Sequence, residues 1–103
     1  MPQSSQETVL LLIVVYDRAV DADLMQRLEA LGIEGYTKLH DAEGKGGQGI
    51  KRGDPVFPGL NHLLFIATTP EKAATIAQTL RAMQDEYAVK PGITIWQLPA
   101  LTL

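Results

Sequence analysis

Residues 8–16 read TVLLLIVVY, and Val9 through Val15 are apolar without a break. A run this short, rich in β-branched side chains, reads as a strand rather than a core helix. Successive side chains on a strand point to opposite faces, so a strand with one face in water alternates apolar with polar residues. This one does not alternate. Residues 61–68, NHLLFIAT, repeat the pattern in Leu63, Leu64, Phe65, Ile66 and Ala67. Both strands therefore need apolar cover on two sides.

The rest of the chain supplies one side. After the first strand, Asp21 or Asp23 can cap a helix in which Leu24, Leu28 and Leu31 share a face, and Gly32 ends it where a left-handed residue is needed. Residues 33–40, IEGYTKLH, alternate in part and suit a second strand. Residues 61–68 form the third. Thr69, Pro70 and Glu71 then give a hydroxyl cap, a proline at the first helical position and an acid at the positive end of the dipole. Ala73, Ile76, Ala77, Leu80 and Met83 form the apolar stripe of this second helix. Pro91 and Gly92 break the chain before a fourth strand at 92–98, GITIWQL. The order βαββαβ is that of a ferredoxin-like α+β sandwich, a four-stranded antiparallel sheet with two helices on one face.

Helices on one face leave the other bare. About three or four apolar side chains per subunit, at roughly 1.5–3 kcal/mol each when fully buried, would stand in water and form a patch that monomers rarely expose. The tails, residues 1–7 and those beyond the last strand, are too short to cover it. Self-association through the sheet is the expected solution.

Between the second and third strands lies DAEGKGGQGIKRGDPVFPG, residues 41–59, with six of the chain's nine glycines and with Lys45, Lys51 and Arg52. Loops longer than about 12–15 residues are uncommon in small domains and usually carry function or are disordered. Successive glycines let backbone N–H groups converge on an anion without Cβ obstruction. Gly44, Gly46 and Gly49 match the spacing of a dinucleotide fingerprint, but no helix follows to supply its dipole, so a Rossmann reading fails.

The 103 residues make a single domain, 1–103, and the formal charge of −3 lacks the broad basic footprint of a nucleic-acid binder. Nor does the sheet, on whose first and third strands only Phe65 qualifies as a stacking aromatic, offer the platform of an RNA-binding sheet. The run 9–15 is far short of the roughly 20 residues of a membrane helix, and residues 1–7 lack the basic start of a secretory signal. No direct membrane insertion and a cytoplasmic location are expected. Cysteine is absent, so disulfides and thiol catalysis are excluded, and a metal site would rest on His40, His62 and carboxylates such as Asp41. The two histidines flank the loop and can be neighbours in a hairpin. No nucleophile with an adjacent base is evident, and Arg18 with Asn61 lacks the glycine-rich cradle an acylphosphatase needs, so no catalytic residue is assigned.

Gly35-Tyr36-Thr37 on the second strand resembles the Gly-x-Thr of PII proteins, and Gly44-Lys45-Gly46-Gly47-Gln48-Gly49 resembles the start of their T-loop. The stretch 53–61, GDPVFPGLN, looks like the loop end of small PII-like proteins rather than of the nitrogen regulators. The chain thus resembles the PII signal-transduction superfamily over nearly its whole length. That resemblance implies a homotrimer with its sheets facing inward. It implies a small ligand, an adenine nucleotide or a relative, in the cleft between subunits, and a T-loop at 41–59 that regulates a partner enzyme or transporter. Carried over by position, the ligand-binding residues are Gly35, Tyr36, Thr37, Lys38, Gly44, Lys45, Gly46, Gly47, Gln48 and Lys90. The chain departs from the nitrogen regulators in lacking their second basic loop, where it has only 88–92, AVKPG, and in having no Lys or Arg after Lys90. Those departures favour a less charged ligand than a triphosphate. The trimeric CutA proteins, which share the fold and are linked to divalent metals, give the alternative, with His40 and His62 as ligands.

Overall fold

The computed structural model describes residues 7–46, 49–51 and 60–103. Strand β1 (Glu7–Asp17) is followed by a 3₁₀ turn (Arg18–Val20) and helix α1 (Asp21–Ala30). Then come β2 (Thr37–Ala42), the short strands β3 (Gly44–Gly46) and β4 (Gly49–Lys51), β5 (Asn61–Thr68), helix α2 (Pro70–Asp85) and β6 (Ile93–Thr102). The principal sheet has the order β2-β5-β1-β6, antiparallel throughout, and β3 pairs with β4 in a separate two-stranded sheet. This is the expected ferredoxin-like α+β sandwich.

Register sorts the residues between two faces. Tyr16 lies opposite His62 and Ile93, Val14 opposite Leu64 and Ile95, and Leu12 opposite Ile66 and Gln97. Tyr16, Val14, Leu12, Leu64, Ile66 and Ile93 are buried with Leu24 and Leu28 of α1 and Ala73, Ile76, Leu80 and Met83 of α2. The core thus lies between sheet and helices. On the opposite face, Ile13 lies between Phe65 and Trp96, Leu11 between Ala67 and Leu98, and Val15 between Leu63 and Thr94. There Ile13 and Phe65 are only partly buried, and Trp96 is 61% exposed. The two-sided apolar strand is therefore half covered within one chain.

Several boundaries differ from the sequence reading. The second strand begins at Thr37, not Ile33, because Ile33 belongs to the end of α1. Gly32, at φ 80°, donates to the Glu29 carbonyl at 2.9 Å, and Ile33 donates to the Leu28 carbonyl at 3.0 Å, which together form a Schellman cap. The same strand runs on through Asp41 and Ala42, so the connection starts later than residue 41 and contains the β3–β4 pair. Neither Asp21 nor Asp23 caps α1; Asp17 caps the 3₁₀ turn instead, its carboxylate accepting from the Ala19 N–H at 2.9 Å. Thr69 caps α2 as expected, accepting from the Lys72 N–H at 3.3 Å. The last strand extends past Leu98 to Thr102, through Pro99. It is an edge strand with β1 as its partner, so a residue lacking an N–H can face outward there.

Candidate functional site

At the β2 edge, Gly35, Tyr36 and Thr37 join Phe65 and Ala67 around a shallow concavity of about 260 Å³. Thr37 pairs with Phe65 in the ladder, which fixes this arrangement. A second concavity, also about 260 Å³, adjoins it and shares Gly35 and Ala67, with Gly32, Ile33, Glu34, Ile66, Thr68 and Lys72 completing its wall. Tyr36 is 47% exposed, and a Cβ on Gly35 would meet nothing within 4 Å, so the rim is open. Each of these two is below the roughly 300–1,000 Å³ of a small-molecule pocket, while a larger concavity of about 610 Å³, walled by Met25, Glu29, Gly32, Ile33, Glu34 and Tyr36, adjoins them. A second surface would be needed to enclose a ligand in either of the two.

Lys38 points the other way. Its Nζ donates to Asp21 Oδ1 at 2.8 Å, and the Tyr16 hydroxyl donates to the same oxygen at 2.5 Å. Burial pushes the Asp21 carboxyl up, but the bonds from Lys38 and Tyr16, with the charge of Lys38 and the field of His62, outweigh it and hold the group below its ordinary value. Burial and the neighbouring carboxylate push the Tyr16 phenol well above its ordinary value. The three residues bind the edge strand β2 to the start of α1 beneath the sheet, on the face opposite Thr37.

Lys90 is not brought to Gly35–Lys38 in one chain. It precedes β6, at the far edge of the sheet from β2, with three strand spacings of about 4.8 Å between those edges. There it pairs with Asp85 at 2.9 Å. Gly44 and Gly46 are in β3, and the Lys45 backbone pairs with Ile50. Gly47 and Gln48 lie outside the described residues.

His40 and His62 do meet across the β2–β5 ladder, with ring centroids 4.6 Å apart in an edge-on arrangement. His62 Nδ1 is already engaged, accepting the Asp41 N–H at 3.2 Å. Among the described residues no three His, Cys, Asp or Glu side chains come together as a metal set. The sequence reading missed Asp21, which organises Tyr16 and Lys38, and the wall formed by Phe65 and Ala67. Pairing Thr37 with Phe65 in an antiparallel register would have indicated the latter.

The family profile described as nitrogen regulatory protein P-II matches residues 9–99. No curated protein sequence matches the chain. Among solved structures, the fold is similar to CPII, a nitrogen regulatory PII-like protein from Thiomonas intermedia K12, bound to ADP, AMP and bicarbonate. The TM-score is 0.72 at 15% identity, covering 93% of this chain and 91% of that one. It is also similar to a protein of Thermus thermophilus described as a PII-like signalling protein, with a TM-score of 0.71 at 20% identity over 97% and 94% of the two chains. The apo form of CPII gives a TM-score of 0.69 at 12% identity over 96% and 98%.

Proposed function

We propose, for a chain that belongs to the nitrogen regulatory protein P-II family, the role of a cytoplasmic homotrimeric regulator. In this reading it binds an adenine nucleotide in the clefts between subunits and controls a partner enzyme or transporter through residues 41–59. The observation that carries the reading is the half-open concavity at Gly35, Tyr36 and Thr37, which lies beside an uncovered apolar sheet face. Packing that face against other copies would bury Ile13, Phe65 and Trp96 and would bring the far edge of a neighbour, with its Lys90, toward the β2 edge. A site split between opposite edges of one sheet is completed by rotation about a cyclic axis. CPII, similar in fold, binds ADP and AMP. The segment before β6, residues 88–92 (AVKPG), carries a single cation, Lys90, which favours a mono- or diphosphate over a triphosphate.

Two measurements test this. Light scattering at micromolar concentration is expected to give three times the mass of one chain, and a monomer would refute the assembly. Thermal shift with AMP, ADP, ATP and divalent metals is expected to show stabilisation by AMP or ADP that survives combined His40→Ala and His62→Ala. No shift with any adenine nucleotide would refute the ligand class, and a metal shift abolished by the histidine changes would favour the metal alternative.

A further inference from the structure

The concavity of about 610 Å³ has the size of a small-molecule pocket, and its chemistry differs from that of the two beside it. Met25 and Glu29 reach it from α1, Gly32 and Ile33 from the cap, and Glu34 and Tyr36 from the segment that leads into β2. Met25 and Ile33 also pack against the core, so the apolar part of the wall is supported from behind. The bonds from the Gly32 N–H to the Glu29 carbonyl, at 2.9 Å, and from the Ile33 N–H to the Leu28 carbonyl, at 3.0 Å, set the path of the chain between the two glutamates. The turn thereby brings Glu29 and Glu34 to one cavity.

No Lys, Arg or His belongs to this wall. Lys72 lines the adjoining smaller concavity instead. Asp21 is paired with Lys38, Asp23 and Glu86 with Arg27, Asp41 with Arg18 and Asp85 with Lys90. Among the described residues neither Glu29 nor Glu34 has such a partner. Glu29 also stands in the last turn of α1, where the helix dipole adds negative potential. A phosphate is repelled there and a cation attracted. Tyr36, half exposed, offers the cation an aromatic ring, and Met25 and Ile33 offer apolar contact to whatever carries it.

We propose that this cavity binds a small organic cation, an alkylguanidinium, with its charge between Glu29 and Glu34 and its stem against Met25, Ile33 and Tyr36. A guanidinium is planar and weakly hydrated, forks onto carboxylates and stacks on aromatic rings, so it uses every part of the wall. The volume favours a free molecule, because one Arg side chain inserted by a protein partner would leave much of it to water. The assignment does not depend on nucleotide binding, which involves the other side of Tyr36 and the opposite charge.

The test is a set of NMR titrations of the full chain at pH 7, following the Met25 methyl and the amides of Ile33, Glu34 and Tyr36. The probes are butylguanidinium, its uncharged isostere butylurea, and pentanoate. Butylguanidinium is expected to give saturable shifts at these residues and to bind about fivefold more tightly than butylurea, the strength of two exposed ion pairs. Pentanoate is expected to give none. Combined Glu29→Gln and Glu34→Gln should bring butylguanidinium down to the affinity of butylurea. A capped Gly-Arg-Gly peptide, with the same cation on a backbone, should bind more weakly than butylguanidinium, and tighter binding would overturn the assignment to a free molecule. Shifts confined to other residues, equal affinity for butylurea or pentanoate, or unchanged binding in the double variant would overturn the site itself. Should the double variant not fold, the comparison of the three probes on wild type decides alone.

Discussion

Asp21→Ala removes the acceptor that the Tyr16 hydroxyl and the Lys38 ammonium share. Tyr16 is fully buried, and its hydroxyl bonds to Asp21 at 2.5 Å. Left without an acceptor, a buried hydroxyl costs about 1–3 kcal/mol. The Lys38 side chain is 15% exposed and Asp21 29%, so loss of this ion pair adds only up to about 1 kcal/mol as Lys38 turns to solvent. The expected loss is about 2–3 kcal/mol, a substantial part of the roughly 5–15 kcal/mol available to a domain. The double variant Tyr16→Phe with Asp21→Ala removes the orphaned hydroxyl and is expected to recover about half of it. The assay is urea unfolding at pH 7 and one fixed protein concentration, because an assembling chain has concentration-dependent stability. If Asp21→Ala lies within about 0.5 kcal/mol of wild type, the range of neutral surface changes, the shared-acceptor argument is wrong. It is also wrong if the double variant is no more stable than Asp21→Ala.

Ile13→Glu places a carboxylate at the centre of the uncovered face, between Phe65 and Trp96; it is expected to yield folded monomers by light scattering, and an unchanged mass would move the interface elsewhere. The Asp21, Asp23 and Glu86 carboxyls all have folded values below their ordinary ones. Their contribution to stability is therefore complete above the unfolded value near 4 and is lost as pH falls below it, so the urea midpoint of wild type should drop between about pH 5 and 2, and less so in Asp21→Asn. Gly32→Ala, where an added Cβ meets nothing within 4 Å, should cost about 1–2 kcal/mol in a thermal melt through backbone conformation alone. No change would mean that φ 80° is not maintained in solution.

What was legible in the sequence was mostly what short-range chemistry decides. Thr69 and Pro70 fixed the start of α2, and Gly32 fixed the end of α1, because caps act within one turn. Ile33 reads as strand in the sequence because a residue serving a Schellman cap looks like the first member of an alternating run. The length of β6 was hidden by Pro99, which ends most strands but not an edge strand with one partner. The unbroken apolar run of β1 correctly implied a sheet face that the helices do not cover. Gly35, Tyr36 and Thr37 were found together because they are contiguous in the chain. Phe65 and Ala67 join them only through the β2–β5 register, a long-range pairing that no local pattern announces. Lys38, expected among the ligand-binding residues, is bonded to a carboxylate 17 residues earlier on another element, and no local pattern joins Asp21 to it.

The same apolar run has a consequence for the life of the chain before it is folded. Residues 10–15, LLLIVV, contain no charge, proline or glycine and match the kind of segment that stacks into cross-β fibrils. In the native sheet this strand is central, and both of its hydrogen-bonding edges are occupied, by β5 and by β6. The strands at the edges are less inviting templates, with Lys38, His40 and Asp41 on one and Pro99 on the other. Protection from fibril formation thus depends on docking β6, which leaves the ribosome after every other strand of this sheet. Until it arrives, one edge of the most aggregation-prone segment stands open, which makes Ile93–Thr102 a solubility element as much as a structural one.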